Sequence, residues 1–234
     1  MENKKIRYQK SIGIIMDGNR RWARQQGLPT MKGHDLGYKK IKEVLRWAGD
    51  FGITTVYFYA FSTENWNRSK EEVAYLMKIF LKAFGQDAKA LMKEKYRVKF
   101  VGQIERFSPP IRLAIKKLEK ATANFTNGNL VVCLSYGGRA EIVETVKKIV
   151  REKSGKEIAQ LTENEFSKFL WTAGLPDPEL VIRTSGEIRM SNFLPWQTIY
   201  SEWFFPKTYW PAFSKKEFKE ILEDFSKREI RRGK

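Results

Sequence analysis

The chain has 234 residues, a length that suits one large domain or two small ones, and its 42% of hydrophobic residues argue against an intrinsically disordered protein. Lysine and arginine outnumber aspartate and glutamate by 44 to 27, so the net charge is +17 and the expected partner is anionic: nucleic acid, an anionic membrane surface or a phosphorylated substrate. Because no run approaches the roughly 18 apolar residues of a membrane span, and one cysteine cannot form an intrachain disulfide, we expect a soluble, cytoplasmic protein.

Short apolar runs alternate along the chain with longer segments of helical periodicity. The apolar runs predict strands at 12–16, 53–60, 97–101, 129–135, 179–183 and 199–204. The periodic segments predict helices at 35–51 and 138–152, and helices that begin after Ser69, Ser108, Thr162 and Ser214. This order predicts a single α/β domain over residues 1–234, with a central, mostly parallel sheet flanked by helices. Residues 153–160 are predicted to be a mobile loop, and residues 1–10 and 229–234 mobile tails.

Three polar clusters follow predicted strands, at 17–22, 62–68 and 183–192. In an open parallel sheet, ligands bind at the carboxyl ends of the strands, so the three clusters are expected to lie along one rim. Such an arrangement favours a binding site over three unrelated loops.

The first cluster places a carboxylate, a glycine and two arginines directly after a buried strand. Gly18 allows the backbone to approach a ligand closely, and the following helix start offers N–H groups to an anion. Arg20 and Arg21 add forked donors that suit phosphate oxygens. Asp17 among these cations suggests a divalent ion between carboxylate and phosphate. The alternative is that Asp17 only caps the helix.

The second cluster packs hydroxyl, amide, carboxylate, aromatic and arginine side chains into residues 62–68. The alternative is a polar connector between strand and helix. Ser69 and Glu72 are assigned mainly to capping that helix. Asn65 and Arg68 are more polar than a connector requires, which favours a site.

In the third cluster, Arg183 and Arg189 lie six residues apart around a glycine-containing turn, which suits a diphosphate clamp. The alternative is a pair of exposed loop arginines in a basic protein.

His34 is the only histidine, and without a second histidine or cysteine nearby it does not predict a zinc site. Neither a P-loop nor a GxGxxG motif occurs, so the usual marks of nucleotide binding are missing.

Five segments occur in order: IGIIMDGNRRWA, GHDLGYKKI, YAFSTENWNR, YGGRAEIV and PDPELVIRTSGEIRMSNFLPWQTIYSEWFF. Together they resemble the cis-prenyltransferase family of undecaprenyl and related polyprenyl diphosphate synthases, from about Ser11 to Gly233. The resemblance implies a Mg²⁺-dependent transferase that condenses isopentenyl diphosphate sequentially onto farnesyl or geranylgeranyl diphosphate. The implied product is a Z-polyprenyl diphosphate used as a lipid carrier of glycans.

The resemblance also implies a role for each matching residue. Asp17 would be the catalytic carboxylate that engages Mg²⁺, and Glu202 would complete the metal site. Asn65, through a relay with Ser62, would help to remove a proton from the isopentenyl unit. The pocket of the allylic diphosphate would be lined by Gly18, Asn19, Arg20, Arg21 and His34. Trp66 and Arg68 would position substrate, and Arg183, Arg189 and Ser191 would hold isopentenyl diphosphate. Further substrate-binding residues would be Trp22, Ser62, Thr63, Glu64 and Met190.

Further implications concern the partner and the product. Arg231 and Gly233 match an element that, in relatives, reaches into the partner subunit's site, so a homodimer is expected. A hydrocarbon product needs an apolar tunnel, and together with the +17 charge it suggests peripheral membrane association. The candidate tunnel walls are Phe58, Ala60, Leu76, Met77, Phe80 and Phe84.

The sequence departs from the family at two positions. Thr30 stands where many relatives have an arginine, and Lys32 is a candidate to supply the missing charge. Ile188 stands where some bacterial members have a histidine near the metal.

Two other functions are weighed: a non-catalytic partner subunit of the same fold, against which the polar site residues argue, and a nucleic-acid-binding protein. The latter predicts basic and aromatic stripes on one face, whereas these arginines cluster with carboxylates, so no nucleic acid is expected.

Overall fold

The computed structural model describes residues 10–228, and every side chain in that range except those of residues 90 and 91. Its strands are β1 (Ser11–Ile15), β2 (Thr55–Ser62), β3 (Arg97–Val101), β4 (Asn129–Tyr136), β5 (Leu180–Arg183) and β6 (Glu202–Phe204). They form one sheet in the order β3-β4-β2-β1-β5-β6, and all five neighbouring pairs are parallel. The predicted α/β fold with a mostly parallel sheet is therefore confirmed.

Helices connect and cover the strands. They are α1 (Asn19–Gln25), α2 (Thr30–Asp50), α3 (Lys70–Leu81), α4 (Ala88–Met92), α5 (Pro109–Thr122), α6 (Gly138–Glu152), α7 (Gly155–Ala159), α8 (Glu163–Ser167) and α9 (Lys215–Lys227). A single π-helical turn, Lys82–Gln86, prolongs α3. The predicted capping boxes at the starts of α8 and α9 are present. No helix of residues 10–228 is long and apolar enough to cross a membrane.

The two faces of the sheet bury different cores. Alternate residues such as Ile14 and Phe58 face the larger core, which α2, α3, α5 and α9 cover. Their strand neighbours, such as Ile15 and Tyr57, face a smaller core closed by the segment around Phe193. This burial on both faces explains why the strands are continuously apolar in sequence.

The start of α2 differs from the prediction, because the helix begins at Thr30 and not at residue 35. Gly33 precedes the predicted helix, but in the structure it lies inside α2, where α1 crosses that helix. A Cβ at Gly33 would sit 2.1 Å from the carbonyl oxygen of Asn19, and one at Gly37 would sit 2.2 Å from Asn19 Oδ1. These glycines therefore serve close helix packing inside a helix, a use that helix propensity alone does not predict.

Two other segments also differ. The loop predicted at 153–160 contains α7, whose start carries a capping box between Ser154 and Glu157. The strand predicted at 199–204 is shortened to β6, and Ile199 is exposed in the preceding turn. The predicted tail mobility stays a prediction, because residues 1–9 and 229–234 lie outside the described range.

Candidate active site

A cavity of about 850 Å³ opens at the carboxyl ends of β1, β2 and β5. The structure brings all three predicted clusters to this cavity, together with one residue of α2. The predicted site residues that line it are Asp17, Gly18, Asn19, Arg20, Arg21, His34, Ser62, Glu64, Asn65, Arg68, Arg183, Arg189 and Ser191. The cavity is therefore rich in cationic side chains, with carboxylates between them.

The centre of the cavity is a pair of arginines that share one carboxylate. Arg183 donates to Asp17 Oδ2 at 2.8 Å, and Arg21 donates to Asp17 Oδ1 at 3.1 Å. The second terminal nitrogen of Arg183 reaches Ser191 Oγ and the carbonyl oxygen of Arg189, both at 2.6 Å. Arg183 is only 4% exposed, so its guanidinium is held rigidly.

This pair forms because two strands end side by side. Ile15 at the end of β1 is the register partner of Arg183 at the end of β5. Gly18 then turns the chain with φ +101°, and a Cβ there would lie 2.6 Å from a ring carbon of Tyr209. Gly18 is the N-cap of α1, whose start has no side-chain cap bond. The alternative that Asp17 only caps this helix is therefore not supported.

The environment of Asp17 favours its charged form. Partial burial by itself raises the pKa of the Asp17 carboxyl, but hydrogen bonds and charges from Arg183 and Arg21 outweigh it and lower that pKa below its usual value. Asp17 is therefore an anion at neutral pH. An ionised carboxylate beside two fixed guanidinium groups can take part in binding a divalent ion or in orienting phosphate oxygens.

Glu72 lies at the centre of a second group of polar side chains, so its role differs from the predicted one. Ser69 Oγ does accept from the backbone nitrogen of Glu72 at 3.2 Å, as a cap should. The carboxylate of Glu72, however, is buried and accepts from Arg68 at 2.8 Å and Arg20 at 3.1 Å, and it lies 3.2 Å from His34 Nε2. Glu72 thus contacts three predicted substrate-binding residues, Arg20, His34 and Arg68. The spacing of four residues between Arg68 and Glu72 is the one feature of the sequence that could have predicted an ion pair there.

His34 is kept neutral at pH 7 by these surroundings. Burial is the main reason that the pKa of His34 is lowered, and the charges of Arg68 and Arg20 add to it. The Glu72 carboxylate acts in the opposite direction. His34 can therefore donate or accept one hydrogen bond without adding charge to the cavity.

Glu187 is the other carboxylate that sequence reasoning missed. Arg21 donates to Glu187 Oε1 and Arg189 donates to Glu187 Oε2, each at 2.6 Å. Arg21 also donates to Ser185 Oγ at 2.7 Å. Glu187 thus links the arginines of the first and third clusters. Its position between Arg183 and Arg189 in the sequence gave no sign of a partner on α1.

Asn65 lies in a 3-10 turn, Thr63–Asn67, that follows β2. Its Oδ1 accepts from the backbone nitrogen of Ser62 at 3.2 Å, and both residues line the cavity. Trp66, expected to position substrate, turns the other way. Its Nε1 donates to Ser135 Oγ at 2.9 Å, and its ring packs edge-on against Phe61 with centroids 4.9 Å apart. Trp66 therefore supports the core behind the site.

Trp22, Thr63 and Met190 also lie outside the cavity lining. Thr63 Oγ1 donates to Glu64 Oε2 at 3.1 Å, Trp22 is partly buried on α1, and Met190 is exposed. Arg231 and Gly233 lie outside the described residues.

Glu202 is not near Asp17 in this chain. It begins β6 opposite Leu180, at the start of β5, whereas Asp17 follows Ile15, which pairs with Arg183 at the end of β5. Three strand residues, roughly 10 Å, separate the two levels. The Glu202 carboxylate instead accepts from Arg228 at 2.7 Å. The prediction that Asp17 and Glu202 share a metal ion therefore does not hold within a single chain.

Neither of the two positions that depart from the family, Thr30 and Ile188, lines the cavity. Ile188 is 80% exposed. Lys32 is exposed and lines a separate groove on the outer side of α2, so it does not supply the charge missing at Thr30 to the cavity.

A narrow apolar channel of about 90 Å³ leads from the cavity into the larger core. The cavity and the channel share Met16, Asn19, His34, Ala60 and Leu76 in their walls. The predicted walls Phe58, Ala60, Leu76, Phe80 and Phe84 line the channel, while Met77 packs against the core instead. The site therefore combines a cationic mouth with a hydrocarbon-lined extension.

Known proteins are similar to this chain in sequence and in architecture. A model of the undecaprenyl diphosphate synthase family of prenyltransferases matches residues 15–233. An isoprenyl transferase of Thermotoga maritima is 40% identical over 97% of this chain and 98% of its own. A tritrans,polycis-undecaprenyl-diphosphate synthase of Pyrococcus horikoshii, described as geranylgeranyl-diphosphate specific, is 45% identical over 96% of this chain and 87% of its own. Lavandulyl diphosphate synthase from Lavandula x intermedia, solved with dimethylallyl diphosphate, superposes with a TM-score of 0.92 at 30% identity, covering 97% and 99% of the two chains.

Because His34 is the only histidine, the charge balance around it can be measured directly. We expect its NMR titration midpoint to lie below the ordinary value of 6.5 in the wild type. In Glu72→Gln the midpoint should fall further, because the nearby anion is lost while both arginines remain. Glu43→Gln, whose half-exposed side chain on the same helix α2 as His34 pairs with Lys40, is the control and should leave the midpoint unchanged. A midpoint that rises in Glu72→Gln would contradict this description.

Proposed function

The chain belongs to the undecaprenyl diphosphate synthase family of prenyltransferases, and we propose that it condenses isopentenyl diphosphate sequentially onto farnesyl or geranylgeranyl diphosphate. The product would be a Z-polyprenyl diphosphate that serves as a lipid carrier of glycans. The observation that carries this proposal is the junction of a cationic cavity with an apolar channel at Ala60 and Leu76. A substrate with a charged diphosphate and a hydrocarbon tail fits both halves.

The cavity offers one group of cations to each of two diphosphates. On the channel side, the cations Arg20 and Arg68 and the neutral His34 surround Glu72 and are assigned to the allylic diphosphate, whose tail would enter the channel. On the other side, Arg183 and Ser191 form the clamp assigned to isopentenyl diphosphate, with Arg189 beside them. Asp17 and Arg21 lie between the two groups and would contact both.

Mg²⁺ is proposed as the cofactor, with Asp17 as its ligand in this chain. Magnesium in phosphate-binding enzymes is usually held by one or two carboxylates together with substrate phosphate oxygens and water. An ionised Asp17 beside a diphosphate pocket fits that donor set. When bound, the ion would stabilise negative charge on the departing diphosphate.

The reaction requires charge stabilisation at one end and proton removal at the other. A bond forms between C4 of isopentenyl diphosphate and C1 of the allylic substrate, whose C–O bond breaks as the diphosphate leaves with the electron pair. Arg20, Arg21 and Arg68 would stabilise that charge as it develops. A proton lost from C2 of the isopentenyl unit restores a double bond, and Asn65 with Ser62 would guide its departure.

The alternative, a non-catalytic partner subunit, accounts less well for this site. A scaffold would not need a buried Arg183 oriented by Asp17 and Ser191. Binding of nucleic acid is likewise not favoured, because the arginines named above are paired with carboxylates inside a cavity and not spread over an exposed face.

We expect the purified protein with Mg²⁺, labelled isopentenyl diphosphate and either allylic primer to form polyprenyl diphosphates, detected by chromatography. Asp17→Asn should lower kcat by on the order of 100-fold or more, since the substitution removes a charge at the reacting centre. Asp50→Asn, on the surface beside Lys215, is the matched control and should keep wild-type turnover. A wild type that is inert with both primers would rule out the catalytic proposal. Comparing the primers in the same assay identifies the one preferred.

A homodimer is also proposed, and an exposed apolar stripe on α6 supports it. Val143, Val146 and Val150 lie on one side of that helix and are 51%, 47% and 62% exposed. Stable dimers bury apolar surface of this kind over roughly 1,200 Å² or more. In such a dimer, the Arg231 and Gly233 element would reach the partner subunit's site.

We expect sedimentation equilibrium to give a dimer for the wild type. Val146→Asp should weaken the dimer by roughly 100-fold in Kd, because burying an unpaired carboxylate costs several kcal/mol. Leu113→Asp, at a 54% exposed position on α5, places the same charge outside the stripe and should dimerise normally. A monomeric wild type at micromolar concentration, or equal effects of the two substitutions, would argue against this interface.

Peripheral membrane association is proposed because the product is hydrophobic and the chain is basic. A groove of about 470 Å³ on the outer side of α2 and α3 supports it, since four lysines and two aspartates give its lining a net positive charge beside Leu28: Lys32, Lys39, Lys42, Lys82, Asp35 and Asp87. The groove also shares Tyr38 and Ile79 with the channel wall. Lysines around an apolar groove suit an anionic lipid surface.

We expect the protein to float with liposomes that contain an anionic phospholipid and to stay unbound with purely zwitterionic ones. Lys39→Glu/Lys82→Glu should reduce binding by about 30-fold or more, because each of the two lost lysine charges contributes about 1 kcal/mol near an anionic surface and each new glutamate is repelled by it. Lys116→Glu/Lys117→Glu, exposed on α5, makes the same change in net charge and should reduce binding less. Equal losses in both variants, or no flotation by the wild type, would exclude this surface.

A further inference from the structure

Asn192 joins three segments around the cavity. Its Oδ1 accepts from the backbone nitrogen of Arg139 at 2.9 Å, and its carbonyl oxygen accepts from Gly138 at 2.8 Å, both at the start of α6. Its Nδ2 donates to Glu64 Oε1 at 3.0 Å, in the turn that follows β2. Asn192 itself directly follows Ser191 and lines the cavity.

The backbone around Asn192 adopts conformations that need support. Ser191, Asn192 and Leu194 all have left-handed φ values, of +47°, +63° and +48°. Asparagine tolerates this region better than most residues, but serine and leucine are strained there. Such strain persists only where surrounding contacts hold the backbone in place. The bonds from Gly138 and Arg139 to Asn192 supply that hold.

The packing at this junction is close. A Cβ at Gly137 would lie 2.7 Å from Asn192 Nδ2 and 2.5 Å from Thr63 Oγ1. Tyr59 completes the junction, because its hydroxyl donates to the carbonyl oxygens of Ser191 and Tyr136, at 3.3 Å and 3.1 Å. The loop of Ser191 and the turn that carries Asn65 are thus locked against the same point of α6.

We propose that Asn192 is a positioning residue that couples the isopentenyl diphosphate clamp to the turn carrying Asn65. This inference rests on the proposed function of the site. Through its backbone, Asn192 fixes Ser191 Oγ against Arg183. Through its side chain and Glu64, it fixes the turn in which Asn65 is the next residue. Losing the link separates the group that holds the second substrate from the group that guides its proton.

The test uses a charge conflict and its rescue. Asn192→Asp keeps the acceptor for the Arg139 nitrogen but sets a second carboxylate about 3 Å from Glu64, in place of a donor. It should raise KM for isopentenyl diphosphate and lower kcat, each by about tenfold, while KM for the allylic primer changes less than about twofold. In Asn192→Asp/Glu64→Gln a donor faces the new carboxylate again, so kcat/KM should recover at least about fivefold over the single variant.

Two controls separate positioning from loss of structure. Asn127→Asp, in an exposed loop where the side chain donates to the carbonyl of Glu94, should behave as wild type. Thermal unfolding should show that Asn192→Asp and its rescued double variant are both fully folded at the assay temperature. Wild-type kinetics in Asn192→Asp, or no recovery in the double variant, would overturn the coupling role.

Calorimetric titration of isopentenyl diphosphate makes the two proposals separable. With isopentenyl diphosphate alone, no reaction takes place, and Asn192→Asp should raise its Kd about tenfold over the wild type. An inert wild type in which this difference persists would defeat the catalytic proposal and keep the role of Asn192. An active wild type whose Kd for isopentenyl diphosphate equals that of Asn192→Asp would keep the catalytic proposal and defeat the role of Asn192.

Discussion

The contact between Asp17 and Arg183 is the interaction on which the site depends. The two residues come from adjacent parallel strands that end at the same level, and Arg183 is almost fully buried. A buried guanidinium needs a counter-charge, so Asp17 has to stay ionised and in place. Because Arg183 also orients Ser191 and Asp17 also engages Arg21, this single contact joins both halves of the cavity.

The other carboxylates of the cavity extend the same logic. Arginine side chains that face a cavity need partners when no anion is bound, and Glu72 and Glu187 provide them at 2.6–3.1 Å. The arginines are thereby held in defined directions before a substrate arrives. Although the chain carries a net charge of +17, the arginines of the cavity are therefore paired with carboxylates.

Much of the fold and the position of the site can be predicted from sequence, and the failures have physical causes. The strands are recognisable because parallel strands are apolar on both sides, and polar residues at their ends point to the site. Glu72 was assigned to a cap because its local spacing fits one, while its carboxylate is used by Arg20 and His34, which are distant in sequence. The resemblance places Glu202 at the metal, but within one chain the strand register puts it at the opposite end of β5 from Asp17, so its role at the metal stays a prediction.

The most direct test of this account is a crystal structure with Mg²⁺, isopentenyl diphosphate and an unreactive thiodiphosphate analogue of the allylic primer. The account predicts both diphosphates in the 850 Å³ cavity, one against Arg20 and Arg68 and the other against Arg183 and Ser191, with Asp17 between them. The hydrocarbon tail should enter the channel past Leu76. Diphosphates bound outside this cavity, or both held on one side of Asp17, would contradict it.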